Sequence, residues 1–283
     1  MRSMPYLFSV KGPAPAGSWP WPLSAAEAQR LRKRLLAMIT PALAETAVSL
    51  GLPKPQDQSE AFDSFLEGYR SRPLVENRHG SGFNDSLWLW LLARWLNPAL
   101  IVESGTFLGH SAWLFRRACP AARIVTHDVE IWPAGRLRAP GVDYRLDDWQ
   151  ASTDLKPRDV GTDKALCFFD DHLSHLQRLR EAAARGFRWA LFDDNFPAWQ
   201  LHATGAPPLP SLAMLLDDDR VTHDIDWQRK GKQYRYSPTY HSAEDWVATK
   251  ALVVASATLP DLAAVTRLPP GSNLTLVRLR TEE

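Results

Sequence analysis

Between residues 99 and 192 the chain alternates short apolar runs with stretches of helical periodicity. Ala99–Glu103, Arg123–Thr126, Val142–Leu146, Ala165–Phe169 and Trp189–Phe192 read as strands. Ser111–Ala118 reads as a helix. So does the segment carrying Leu173, Leu176, Leu179 and Ala183, with Gly186 as its C-terminal stop. Strands joined by helices lie parallel, so their carboxyl ends gather on one rim of the sheet, where open α/β sheets bind ligands. The alternation predicts an α/β fold with a Rossmann-like, doubly wound, mostly parallel sheet. Past Pro197 the pattern weakens, with a Pro-rich loop at Gly205–Pro210 and a final edge strand over Asn273–Arg280.

Upstream, residues 1–76 read as an N-terminal arm and helices capping a main domain over 77–283. The Pro- and Gly-rich stretch 11–23 predicts an extended arm. Ser24 and Glu27 form a capping box for a helix over 25–49, and a shorter helix covers 58–70. Arg30, Arg32, Lys33 and Arg34 make a basic run that reads as a solvated helix face. A third helix, Ser86–Leu96 with Asn84 or Asp85 as its cap, is apolar nearly all the way round. It is expected to be buried or to sit in the interface of a homodimer.

Composition narrows the classes. With 33 basic and 32 acidic residues the formal charge is +1, so no global field favours nucleic acid or an anionic membrane. No apolar stretch approaches the roughly 18 residues of a membrane span, and the first residues lack the apolar core of a signal peptide, which points to the cytoplasm. Cys119 and Cys167 are expected to be free thiols. Twelve tryptophans favour an organic small-molecule ligand. The stretch Trp227–Tyr236, basic and aromatic, reads as a solvated hairpin or a substrate lid.

The chemistry lies on the rim. One strand runs into Asp170-Asp171-His172 and another into Asp193-Asp194-Asn195, so two acidic clusters emerge side by side. Aspartates at strand ends also serve as ordinary helix caps, a reading that two adjacent clusters weaken. Upstream, Glu103-Ser104-Gly105-Thr106-Phe107-Leu108-Gly109-His110-Ser111 forms a strand-to-helix turn where glycines let a cofactor approach the backbone. The next strand ends at Asp128, placed to grip a ribose. The spacing lacks the G-x-G-x-x-G of a dinucleotide site, and an acid before the loop is a poor neighbour for phosphates.

Glu103-x-Gly105-x-x-x-Gly109-x-Ser111 resembles the first motif of class I S-adenosylmethionine-dependent methyltransferases. The likeness is to the catechol type and to the metal-dependent sugar O-methyltransferases of macrolide and aminocoumarin pathways. Asp128, Asp148-Trp149-Gln150, Phe168-Phe169-Asp170 and Leu191-Phe192-Asp193-Asp194-Asn195 follow in the family's order, over residues 77 to 200. The resemblance implies S-adenosylmethionine held by Glu103, Gly105, Thr106, Phe107, Gly109, Ser111, Asp128, Asp148 and Trp149. It also implies Mg²⁺ on Asp170, Asp194 and either Asp193 or Asn195, and methyl transfer to a hydroxyl of a small molecule. The catechol-type enzymes carry a lysine base shortly after the first metal aspartate, where this chain has Leu173, Ser174 and His175. His172 is therefore the expected base, with Asp170, Asp171 and His175 as the other candidates. Metal-free transfer using Asp170 or His172, and a catalytically silent binding module, are the rival readings.

Overall fold

The computed structural model describes residues 21–75, 77, 80–130, 136–203, 208–229 and 232–281. Helix α1 (Ala25–Leu50) opens with the expected capping box: Ser24 Oγ accepts the Glu27 amide and the Glu27 carboxylate accepts the Ser24 amide. It ends at Gly51, left-handed at φ 63°. Its buried stripe of Leu35, Ile39, Leu43, Ala47 and Leu50 belongs to the main hydrophobic cluster or packs beside it. Arg32 of the basic run pairs in a two-pronged bond with Asp63 of α2 (Ser59–Arg70). The Pro-rich arm up to residue 20, the loop at 204–207 and the turn Lys230-Gly231 lie outside the described residues.

Helix α3 (Phe83–Leu96) is apolar all round because one chain covers it on every side. Leu87, Trp88, Leu89, Trp90, Leu91 and Leu92 are all buried. The two indole N–H groups bond to different neighbours, Trp88 to the Pro260 carbonyl at 3.0 Å and Trp90 to the Ala61 carbonyl at 2.9 Å. The helix is core, so its apolarity offers no surface to a second copy. Its start also differs from expectation, beginning at Phe83 after Gly82. Asn84 and Asp85 do not cap it. They reach instead to the loop before the last strand, the Asn84 amide donating to the Pro269 carbonyl and Asp85 accepting the Ser272 N–H.

The expected parallel strands form in order: β1 (Leu100–Ser104), β2 (Arg123–His127), β3 (Val142–Arg145), β4 (Ala165–Phe169) and β5 (Trp189–Phe192). Helix α4 (His110–Ala118) follows β1 and α5 (His175–Ala184) follows β4. Continuous burial of β1, β4 and β5 reflects helices on both faces of the sheet. Beyond β5 come α6 (Leu212–Leu216), the hairpin β6 (Ile225–Arg229) and β7 (Lys232–Tyr236), α7 (Ala243–Lys250), β8 (Val253–Thr258), α8 (Ala263–Thr266) and β9 (Thr275–Leu279).

Among the described residues the main sheet has seven strands in the order β3-β2-β1-β4-β5-β9-β8, antiparallel at β5–β9 and β9–β8. This is the expected Rossmann-like, mostly parallel sheet, with two antiparallel strands added beyond β5. The sequence places the last strand at an edge; it lies inside the sheet, and β8, absent from the sequence reading, is the edge. The basic, aromatic stretch is a two-stranded hairpin apart from the main sheet, with Trp227 and Tyr234 stacked across it at 5.5 Å. Both cysteines are buried and free. No helix among the described residues is long and apolar enough to cross a membrane.

Candidate active site

The glycine loop is built by its neighbours. After β1, the amides of Gly105 and Thr106 both bond to the His127 carbonyl at the end of β2. Gly105 has φ +106°, and a Cβ there would lie 2.1 Å from the Asp170 carbonyl oxygen, so only glycine lets this turn close against the one after β4. Gly105→Ala is expected to cost at least about 2 kcal/mol, from the positive φ and the forced separation of the two turns. Thermal melting reads this directly; a melting temperature matching the parent's would refute the close approach.

Asp128 locks the loop's outer edge. It accepts the Phe107 N–H at 2.8 Å and the Glu130 N–H at 3.0 Å, with the Arg136 guanidinium 3.7 Å away. Phe107 is left-handed at φ 45°. Thr106 Oγ1 meets Thr126 Oγ1 at 2.6 Å. Glu103, wholly buried, accepts hydrogen bonds from Thr126 Oγ1 and the Ser111 hydroxyl, but its buried Oε1 has no hydrogen-bond partner among the described residues. Burial pushes its carboxyl up to about 7, against the lowering effect of those bonds. Arg136 is partly exposed, but two of its guanidinium nitrogens are buried with no hydrogen-bond partner among the described residues. His110, the first residue of α4, packs locally between Tyr69 and Trp113, with Nε2 2.9 Å from Ser86 Oγ. Burial holds its pKa down to about 3, so it is neutral.

The second half of the rim is acidic. Asp170, Asp193 and Asp194 crowd together: Asp170 and Asp193 share a side-chain hydrogen bond, and the charges of Asp170 and Asp194 act on Asp193. Burial, then mutual repulsion, drives Asp193 well above the usual carboxylate range; burial raises Asp170 to about 7 despite the lowering effect of His172. Ser272 Oγ bonds to Asp193 and lies 3.2 Å from Asp85, whose own carboxyl burial raises to about 6. His172 Nδ1 stands 3.0 Å from Asp194 Oδ2. Both residues are left-handed without being glycine, at φ 57° and 50°. Such conformations cost about 1–3 kcal/mol each and persist where surrounding structure enforces them, commonly at functional sites.

Several expected site residues have other partners. Trp149 is fully enclosed by Phe169, Phe187 and the Arg185 guanidinium, and its Nε1–H donates to Glu181, so its ring has no face left for a cofactor. Asp148 is paired by both oxygens with Arg178 and caps the turn at Gln150. Asp171 accepts from Arg178 Nε at 2.7 Å, Ser104 Oγ at 2.6 Å and the Leu173 amide, which removes it as a candidate base. His175 is buried and neutral, accepting the Leu212 N–H on Nδ1 and bonding to the Asp193 backbone, with its pKa held down to about 3. Asn195 donates to Thr275 Oγ1 and accepts the Ala213 N–H, so both ends of its amide are already engaged within the fold. Arg178, Ser272 and Asp85 organise this region, and the sequence reading names none of them as site residues.

For Mg²⁺ the fit is incomplete. Asp170, Asp193 and Asp194 are suitable oxygen donors, but Asn195 is committed elsewhere. No three His, Cys, Asp or Glu side chains among the described residues stand in a metal-holding arrangement.

No family model and no curated protein matches the chain. Among solved structures, it is similar to the O-methyltransferase TomG of Streptomyces achromogenes, involved in tomaymycin synthesis and bound to SAM, at 16% identity. That match covers 88% of this chain and 96% of that one, with a TM-score of 0.42. The O-methyltransferase from Bacillus cereus with SAH matches at 14% identity over 86% and 99% of the two chains, TM-score 0.40. CmcI with Mg and SAM matches at 11% over 71% and 73%, TM-score 0.41. At these scores the site's own residues, not the likeness, carry the functional reading.

Proposed function

We propose that the chain is an S-adenosylmethionine-dependent methyltransferase acting on a hydroxyl of a small molecule such as a sugar or natural-product scaffold. One observation carries the donor half. At the glycine loop a buried acceptor, Glu103 Oε1, and buried nitrogens of Arg136 have no hydrogen-bond partner among the described residues. Buried polar atoms left unpaired cost about 1–3 kcal/mol each. A ligand offering both donors and acceptors at that turn, as the ribose and amino acid parts of S-adenosylmethionine do, relieves both.

The acceptor half rests on the His172–Asp194 contact beside it. Methyl transfer is an in-line displacement: the acceptor oxygen bonds to the methyl carbon, the carbon–sulfur bond breaks, and the hydroxyl proton must leave. The His172 imidazole, 3.0 Å from the Asp194 carboxylate, takes that proton, and the neighbouring negative charge stabilises the imidazolium that results. This geometry favours the base-assisted route, and no step here is assigned to a metal.

Asp194→Ala is expected to lower turnover at least about 100-fold while S-adenosylhomocysteine affinity, read by calorimetry, stays within about threefold of the parent's. Unchanged turnover removes the His172–Asp194 pair from the chemistry. Activity is expected to survive excess chelator; loss restored by Mg²⁺ would return Asp170 and Asp194 to the role of ligands. Absence of S-adenosylhomocysteine binding to the parent protein would sink the methyltransferase reading.

A further inference from the structure

Ser104 and Asp171 meet across the rim, the first closing β1 and the second lying on the turn after β4. Ser104 Oγ donates to Asp171 Oδ2 at 2.6 Å, with Ser104 at 4% exposure and the Asp171 side chain at 12%. A hydroxyl donating to a carboxylate in such enclosed surroundings makes a strong bond. Arg178 Nε reaches the same oxygen at 2.7 Å, so α5 supplies the opposing charge. The other oxygen accepts the Leu173 amide at 3.1 Å, closing a turn around His172.

The two segments joined in this way have different duties. Ser104 immediately precedes Gly105, where the donor loop begins, and that loop has its own anchor in the Gly105 and Thr106 amides on the His127 carbonyl. The turn after β4 carries His172 in a left-handed conformation, φ 57°, which persists only where neighbours over-determine it. One restraint is the Asp170 N–H on the Ser104 carbonyl at 2.8 Å, and another is the close approach of Gly105 to the Asp170 carbonyl. Both act at Asp170, before the base. The Asp171 carboxylate carries the restraint on past His172 to Leu173.

We infer that Asp171 is a positioning residue, the clasp that fixes the His172 turn against the donor loop. Through Ser104 on one side and Leu173 on the other it sets where the imidazole stands relative to the donor, while Arg178 holds the carboxylate in place. This inference rests on the methyltransferase reading and deepens it. In-line transfer needs its reacting groups in register, and a misplacement of about 1 Å costs about 100-fold in rate.

The test compares the parent, Ser104→Ala and Asp171→Asn as full chains at one pH, below the melting range of all three. Calorimetry reads S-adenosylhomocysteine affinity. NMR of isotope-labelled histidine reads the His172 ring, assigned by the signal lost in His172→Gln. In the parent, S-adenosylhomocysteine is expected to shift the His172 signal. Both variants are expected to bind it within about threefold of the parent, since the donor loop keeps its His127 anchor, yet to show a His172 shift smaller by at least about threefold. A loss of stability alone would leave that response intact in the folded protein. Equal His172 responses in the parent and both variants overturn the clasp, as does a parent in which bound S-adenosylhomocysteine leaves His172 unmoved. Failure of the parent to bind S-adenosylhomocysteine, seen by calorimetry alone, overturns the donor reading and the clasp with it.

Discussion

Arg178→Met is expected to destabilise the protein by about 3–5 kcal/mol, the range found when one partner of a buried ion pair is removed. Arg178 is 1% exposed and faces three carboxylates, Asp148, Asp171 and Glu181, at 2.7 Å each. Its own charge survives burial because those carboxylates raise its pKa against the desolvation that would lower it. Without it, Asp171 keeps only Ser104 and Leu173 as donors, and Glu181 keeps Trp149 and two glutamine amides. The excess negative charge then sits at the junction of β1, β4, α5 and the loop after β3. For a chain of this size the loss corresponds to a melting-temperature drop on the order of 10 °C. Neutralising a partner in the same background, as in Arg178→Met with Asp148→Asn, is expected to cost less than the two single changes summed, because the repulsion is relieved. A drop under about 2 °C for Arg178→Met would show the network to be dispensable.

That network also explains what the sequence leaves hidden. Strands buried on both faces announce themselves as apolar runs, and a glycine turn between strand and helix announces a close approach, so β1 to β5 and the loop from Glu103 to Ser111 are legible. The edge strand β8 is not: Val253–Thr258 is half-exposed and rich in small residues. Arg178 sits on a helix whose periodicity marks its position as polar, which in sequence looks like a solvated face. Nothing local says that Asp148, 30 positions earlier, folds back onto it. The same holds for Asn195, claimed by Thr275 across 80 positions, and for Asp85, claimed by Ser272 across 187. Residue types and strand ends give the candidates for a site. Which of them are already engaged depends on distant partners, and those partners hold Trp149, Asp171, His175 and Asn195.

Glu103→Gln is expected to part stability from binding in a pH-dependent way. In the folded protein the Glu103 carboxyl is raised from its ordinary 4.5 to about 7, so the folded state holds a proton that the unfolded chain gives up more readily. Its contribution is therefore fully present below about pH 4.5 and is lost as the pH rises through 7. A shift of that size corresponds to about 3 kcal/mol at pH 8. Glutamine has the same shape and never ionises, so without cofactor the variant is expected to match the parent near pH 5 and to exceed it by several degrees in melting temperature at pH 8. Asp170 and Asp85, also raised by burial, titrate in both proteins and largely cancel in the difference. Binding runs the other way: the ionised carboxylate at pH 8 is the stronger acceptor, so S-adenosylhomocysteine affinity is expected to fall at least tenfold in the variant. Melting curves from pH 5 to 8, with calorimetry at pH 8, measure both. A melting difference independent of pH would show that burial does not hold the Glu103 proton, and unchanged affinity would place the cofactor away from its unpartnered oxygen.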